Sequence, residues 1–332
     1  MQRIANASLA ERTTLGLGGP ARELVIAESL EELRDVVRDA GEQLLVLGGG
    51  SNLVVGDAGW PGVAVQLGWT DVEIAGDDVT VAAGADWDGF VADMVSDGRA
   101  GIECLAGIPG RVGATPIQNV GAYGQEVAET IVHVDALDRF TGEPQRFAHD
   151  QCGFAYRTSW FKQSSRWIIT SVTFRLPRAA AAKLRYAELV KSIGEHASLS
   201  EIRTTVIALR RSKGMVVDPA DPDSRSAGSF FTNPIVDAHE AAAIAERAGS
   251  APPQWPQPDG RVKLSAAWLI ERAGFAKGTV RGRVGISTKH ALALVNRGGA
   301  TTAELLALAH EIQSAVRDRL GATLELEPVV VQ

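Results

Sequence analysis

The stretch Leu44-Leu45-Val46-Leu47-Gly48-Gly49-Gly50-Ser51-Asn52-Leu53-Val54-Val55-Gly56 decides between two ways of holding a nucleotide. An apolar strand, Leu44 to Leu47, runs into three glycines, and a second apolar run, Leu53 to Val55, follows before Gly56. A doubly wound dinucleotide fold needs the order strand, glycine loop, helix, because the helix N-terminus holds the phosphates. Here a strand-like run stands where that helix is required. Gly16-Leu17-Gly18-Gly19-Pro20 also fails the GxGxxG spacing. The three glycines suit instead a nest of backbone N–H groups aimed at one anion, with no helix involved. A plain crossover turn is the alternative that the triplet alone leaves open.

Outward from this stretch the chain alternates between strand and helix signals. Upstream, Ser29-x-x-Glu32 is a capping-box pattern, Leu33, Val36, Val37 and Ala40 share one face, and Gly41 supplies a stop, so a helix is predicted over 29–40. Downstream, residues 62–86 hold short apolar runs broken by Gly and Asp, which read as small strands. A helix is predicted from Trp87 to Gly98. The nearly uncharged, Gly-, Ala- and Pro-rich stretch Gly101 to Gly124 reads as a long loop, and a long loop of small residues commonly lines a ligand. Within it, Gln118 and Asn119 offer amide groups suited to the edge of a planar heterocycle. Strands are predicted at Ile131 to Leu137 and Trp167 to Leu176, and mainly helix over 179–215. The Pro-, Asp- and Ser-rich segment 217–227 suits a domain boundary. Thr301-x-x-Glu304 opens a helix over 302–320 that ends at Gly321, and Thr323 to Val329 alternates like a strand.

A chain of 332 residues with 45% apolar and 22% charged residues can bury cores for two or three domains. Its net charge of −7 argues against a general nucleic-acid or anionic-membrane surface. No run of eighteen apolar residues is present, so no membrane span is expected, and Met1 to Thr14 lacks the apolar stretch of a secretory signal. Cys104 and Cys152 are far apart and read as buried small hydrophobes in a reducing cytoplasm. The six histidines form neither HxxxH nor HExxH, so no metal is expected.

Gly228-Ser229-Phe230-Phe231-Thr232-Asn233-Pro234 is the stretch that core packing explains least. Glycine lets backbone approach a ligand closely, two aromatics can anchor the turn, and the hydroxyl between them can project into a site as a proton donor. A Gly-Ser turn over a buried Phe pair is the plainer reading of the same residues.

Several long motifs, taken together, resemble one family. They are IPGRVGATPIQNVGAYGQEV (from Ile108), CGFAYRTSWFK (from Cys152), GSFFTNP (from Gly228) and Lys263-Leu264-Ser265-Ala266-Ala267-Trp268-Leu269-Ile270, with Gly48-Gly49-Gly50-Ser51-Asn52. Over nearly its whole length the chain resembles MurB, the UDP-N-acetylenolpyruvoylglucosamine reductases of bacterial peptidoglycan synthesis.

The resemblance implies an α+β flavoprotein of three domains with a vanillyl-alcohol-oxidase-type (PCMH-like) FAD-binding fold. Residues 1–66 and 67–214 would form two FAD-binding subdomains and 215–321 the substrate domain, with 322–332 returning near the first. It implies NADPH as reductant, a UDP-sugar nucleotide as substrate, a cytoplasmic location, and a monomer bound to neither membrane nor nucleic acid. The catalytic positions would be Arg157, Ser229 and Glu327. Glu325 also fits the family's C-terminal glutamate, but spacing from Gly321 and Leu324 favours Glu327. FAD would lie against Gly48, Gly49, Gly50, Ser51, Asn52, Pro109, Gly113, Ala114, Gln118, Asn119, Gly121 and Tyr123. The nucleotide would meet Tyr186, in the subclass with a substrate-closing tyrosine loop, and Lys213, Asn233, Lys263 and His290. Two other readings are an alcohol or sugar oxidase of the same fold, which has no need of Ser229 beside two phenylalanines, and a non-catalytic flavin-binding protein.

Overall fold

The structure, a computed structural model, describes residues 1–332. Apolar runs of about five residues form strands and 3.6-residue periods form helices, as hydrophobic burial on one face requires. The chain groups into two compact units. The first comprises Met1–Ala7, Ala21–Gly50 and Trp60–Val216; the second comprises Ser8–Pro20, Ser51–Gly59 and Val217–Gln332.

The first unit holds two large sheets and two two-stranded ones. In one, the strands Gln2–Ser8, Pro20–Ala27, Trp60–Leu67 and Leu44–Val46 lie in that order, and the last three run parallel. Parallel neighbours need a crossover, and the helix Leu30–Ala40 supplies one. Ser29 caps it by accepting from the Glu32 amide, and Gly41 ends it at φ +57°. The expected reciprocal half of the capping box is not made at Ser29. The Glu32 carboxylate takes the Glu28 amide at 2.8 Å and the N-terminal ammonium instead, a charge-assisted contact that outweighs a neutral one.

The second sheet is antiparallel, in the order Pro144–Ala148, Ile131–Asp138, Trp167–Arg175, Asp78–Ala82, Val72–Ala75. The helix Trp87–Ser96 buries Trp87, Phe90, Val91 and Met94, and Phe174 completes an aromatic cluster with ring centroids within 6.0 Å. The stretch 179–215 is less helical than expected. Short strands Ala181–Lys183 and His196–Ser198 pair on either side of the helix Ala187–Ile193, and only Leu199–Ser212 forms a long helix. Gly194, at φ +83°, breaks the helical period there.

The second unit is built round the helix Thr302–Leu320, which buries Leu305, Leu308, Ile312 and Val316 against Ile244, Leu269, Ile270 and Phe275. Its capping box is complete: Thr301 and Glu304 each satisfy the other's amide. Asp57 adds both carboxylate oxygens to the amides of Thr302 and Ala303, where the positive end of the helix dipole favours an anion. The C-terminal strand begins later than alternation predicts. Regular pairing covers Val329–Val331, parallel to Leu53–Val55, while Leu324 to Glu327 is tied to Phe230–Thr232 by single bonds and one isolated bridge.

Candidate active site

In the first unit the glycine triplet leaves the strand Leu44–Val46 and meets the Pro109–Ala114 turn. A Cβ on Gly49 would come within 2.6 Å of the Gly110 Cα, and one on Gly48 would touch the Ala114 side chain at 3.6 Å. The two backbones therefore pack directly, which only glycine permits. Gly50 is at φ +62°, and Gln66 Nε2 donates to the Gly48 carbonyl at 3.1 Å. A Cβ on Gly113 would fall 2.5 Å from that of Ala83. Two segments some sixty residues apart in sequence thus form one small-residue surface where backbone packs on backbone, a cradle close enough for a dinucleotide pyrophosphate to approach the main chain.

Beside this surface three non-glycine residues adopt left-handed backbone: Asn119 at φ +47°, Tyr123 at +50° and Arg157 at +53°. Such residues cost energy and persist where the surroundings over-determine them. Asn119 is 1% exposed. Its Nδ2 donates to Glu126 Oε2 at 2.7 Å and to the Ala155 carbonyl at 3.2 Å, and its Oδ1 accepts from the Ala128 amide at 3.1 Å. The Asn119 side chain is thus engaged by protein, and it links two turns. One is the hairpin Gly121–Ala122 with Gln125–Glu126, tipped by Tyr123 and Gly124. The other is the turn at Tyr156–Arg157, closed by paired bonds between Ala155 and Thr158.

Arg157 connects the same two turns. Its Nη2 donates to the Gly121 carbonyl at 2.6 Å, its guanidinium lies 5.3 Å from the Tyr156 ring centroid, and its own carbonyl accepts from Lys162 Nζ at 3.0 Å. At the hairpin tip, the Tyr123 ring meets Tyr186 edge-on at 5.3 Å, and Lys213 Nζ lies 5.4 Å from the Tyr123 ring centroid. Lys213 is paired with Glu188 at 2.6 Å. Burial, the largest influence, disfavours its charge, but the Glu188 carboxylate and the Tyr123 phenol together outweigh it and hold Lys213 above the ordinary lysine range. Burial pushes the Tyr123 phenol up, with Lys213 opposing. The first unit therefore brings Asn119, Gly121, Tyr123, Arg157, Tyr186 and Lys213 together.

In the second unit Gly228 turns at φ +74° into Ser229, and Phe230 and Phe231 are fully buried, edge to face at 5.7 Å. The aromatic pair anchors the segment, and the ladder aligns it. The Phe230 amide donates to the Leu292 carbonyl at 2.8 Å, the Phe230 carbonyl accepts from the Glu327 amide at 3.0 Å, and the Thr232 amide donates to the Glu325 carbonyl at 3.0 Å. Glu327 is half-buried beside the residue that follows Ser229, whereas Glu325 is exposed. Asn52 Nδ2 donates to the Glu327 carbonyl at 3.4 Å, and the Val329 amide to the Asn52 carbonyl at 2.9 Å. Ser229, Glu327 and the Ser51–Asn52 end of the glycine stretch therefore share this unit.

The remaining expected residues of the second unit take defined places. Asn233 Oδ1 accepts from the Ala266 amide at 2.9 Å, at the start of the helix Ala266–Arg272. Lys263 lies on the strand Val262–Leu264, opposite Ile235 on one side and Trp255 on the other, 6.0 Å from the Trp255 ring. His290 Nδ1 accepts from the Leu292 amide at 3.1 Å, behind the carbonyl that holds Phe230. Sequence reading did not mark Glu103, Gln125, Glu126 or Glu188. Their roles depend on pairings between separate turns or helices, which leave no periodic signal. Cys104 and Cys152 are buried and free, and burial pushes both thiols up to about 12, which makes them poor nucleophiles.

Residues 21–148 match the FAD binding domain family and residues 219–331 match the UDP-N-acetylenolpyruvoylglucosamine reductase, C-terminal domain, family. With the α+β architecture these matches define an FAD-binding oxidoreductase. The UDP-N-acetylenolpyruvoylglucosamine reductase of Thermobifida fusca is 53% identical over 98% of this chain and 97% of its own length, and that of Salinispora arenicola is 50% identical over 98% and 95%. The crystal structure of the UDP-N-acetylenolpyruvylglucosamine reductase (MurB) from Thermus caldophilus superposes with a TM-score of 0.70 at 28% identity, covering 100% of this chain and 98% of that one. The chain belongs to the MurB family of UDP-N-acetylenolpyruvoylglucosamine reductases.

Proposed function

We propose that this chain reduces the enolpyruvyl ether of UDP-N-acetylglucosamine to the lactyl ether, giving UDP-N-acetylmuramate in the cytoplasm for peptidoglycan, and that Arg157, Ser229 and Glu327 carry the chemistry. The observation that supports the reading is the bond from the Glu327 amide to the Phe230 carbonyl, next to Ser229 in the chain. The glycine surface at Gly48–Gly50 and Pro109–Ala114 would hold the pyrophosphate of FAD, with Ser51, Asn52, Gln118, Gly121 and Tyr123 completing the cofactor site. When bound, FAD supplies to the terminal vinyl carbon a hydride that originates in NADPH.

The protein's part is to stabilise charge and deliver a proton. As the vinyl carbon gains hydride, negative charge develops on the substrate carboxylate, and donors fixed in advance act most strongly there. Arg157 presents a planar fork suited to a carboxylate. Glu327 assists as a neutral acid, because a second carboxylate beside the first would repel it. Ser229 donates the proton to the carbon alpha to the carboxylate, and its alkoxide regains a proton from solvent, which closes the atom balance. A hydroxyl is a weak acid, but the enolate-like carbon is a strong base. Tyr186, Lys213, Asn233, Lys263 and His290 hold the UDP-sugar, the lysines as point charges for the diphosphate.

Ser229→Ala tests the assignment. Anaerobic stopped-flow absorbance should show NADPH bleaching the flavin at the parent rate, while reoxidation by the enolpyruvyl nucleotide slows ~10²–10⁴-fold. Equal damage to both half-reactions refutes the role.

A further inference from the structure

Glu103 takes no part in the chemistry above, yet its carboxyl is buried at 1% exposure beneath the hairpin that meets Arg157. Its Oε2 accepts from the Gly101 amide at 2.6 Å and its Oε1 from Gln125 Nε2 at 2.7 Å. Gln125 Oε1 accepts from the Cys104 amide at 2.8 Å. A carboxyl buried there is costly unless fixed donors fill its lone pairs, so the pair is held to one geometry.

That geometry bears on Arg157 through the hairpin. Only two residue pairs form it, Gly121 with Glu126 and Ala122 with Gln125. An isolated two-stranded hairpin is marginal in water, so side-chain anchors must fix it. Gln125 is one anchor, and Asn119, through Glu126, is another. The carbonyl so fixed, that of Gly121, receives Arg157 Nη2 at 2.6 Å. There is little slack: a Cβ on Gly121 would lie 2.8 Å from Glu126 Cγ and 3.1 Å from Arg157 Nη1.

We propose that the buried pair Glu103–Gln125 is a positioning device for Arg157, acting through the Gly121 carbonyl to set where the guanidinium meets the substrate carboxylate. The proposal rests on the assignment of Arg157 to that carboxylate. The pair's polarity can be exchanged without losing a bond. In the double variant Glu103→Gln, Gln125→Glu, the amide oxygen takes the Gly101 amide, the amide NH2 donates across the pair, and the carboxylate takes the Cys104 amide. Either single change leaves two donors, or two carboxyls, face to face.

The test measures binding of two nucleotides to the oxidised holoprotein by isothermal titration calorimetry. One is the enolpyruvyl nucleotide; the other is UDP-N-acetylglucosamine, which lacks the carboxylate. Glu103→Gln and Gln125→Glu should each weaken the first about tenfold, equivalent to ~1.4 kcal/mol, and leave the second unchanged, while the double exchange restores parent affinity. Should Gln125→Glu not fold, Gln125→Met is measured in its place. Equal weakening of both nucleotides, no weakening, or failure of the exchange to restore affinity overturns the proposal. Arg157→Ala separates the two ideas. If it binds both nucleotides as the parent does, the assignment of Arg157 itself is wrong. If it loses affinity for the enolpyruvyl nucleotide while Glu103→Gln does not, only the positioning role falls.

Discussion

In the first unit Asn119, Tyr123 and Arg157 hold left-handed backbone without the freedom of glycine, and buried amide and carboxylate groups bind the turns that carry them. In the second unit every residue at positive φ is a glycine, and Ser229 and Glu327 sit on backbone rungs clamped by two buried phenylalanines. The first arrangement stores strain of about 1–2 kcal/mol per residue and depends on side-chain bonds between turns. The second keeps its geometry from main-chain bonds and aromatic burial. Substitutions near the first site should therefore change function more than stability, and substitutions near the second should change stability unless they fall on the reactive groups.

The largest effect sought is functional. Arg157→Gly removes the guanidinium and relieves the strain at φ +53°. Reoxidation by the enolpyruvyl nucleotide should slow ~10²–10³-fold with no fall in melting temperature; a marked fall would show that Arg157 is a structural staple and would break the contrast. Next, Phe230→Ala in the second unit should cost ~3–5 kcal/mol in urea unfolding, and a cost under about 1 kcal/mol would mean that the aromatic pair is not the clamp. Thr301→Ala removes one half of the capping box and should cost ~1 kcal/mol, with substrate affinity unchanged. A last effect, confined to alkaline pH, concerns the thiols. Both titrate near 12 in the fold against an ordinary value of 9.0. The folded state thus keeps protons that the unfolded chain releases. Their contribution is full below pH 9 and is lost as pH rises towards 12. A Cys104→Ala, Cys152→Ala variant should lose stability less steeply across that window, and the parent should yield no thiol to an aromatic disulfide reagent at pH 8 until it is unfolded.

Local signals explain which parts of this fold were legible in the sequence. Ser29, Gly41, Thr301, Glu304 and Gly321 act within one helical turn of their partners, and the helices begin and end beside them. The Leu324–Glu327 stretch alternates like a strand, but its neighbours, Phe230 to Thr232, offer single bonds, so alternation alone misplaced the strand start. The half-helical run 179–215 misled for a similar reason: tertiary pairing of Ala181–Lys183 with His196–Ser198 overrides propensity. For the site, long motifs marked Arg157, Ser229 and Glu327. Nothing local marked Glu103, whose partner Gln125 lies in a different turn, or Glu188, which meets Lys213 only after two helices pack.

The strand Leu53–Val55 has a consequence for the order of folding. Its neighbour Asn52 bonds to Glu327, 275 residues further along, and the pairing strand is Val329–Val331. Closing so long a loop is entropically slow and is rewarded only when the far end arrives. On the ribosome, the strand Leu53–Val55 must therefore wait for its strand partner until Val331 has been made. The rungs that carry Ser229 and Glu327 wait for the same stretch of chain, because Phe230 and Thr232 bond to Glu327 and Glu325.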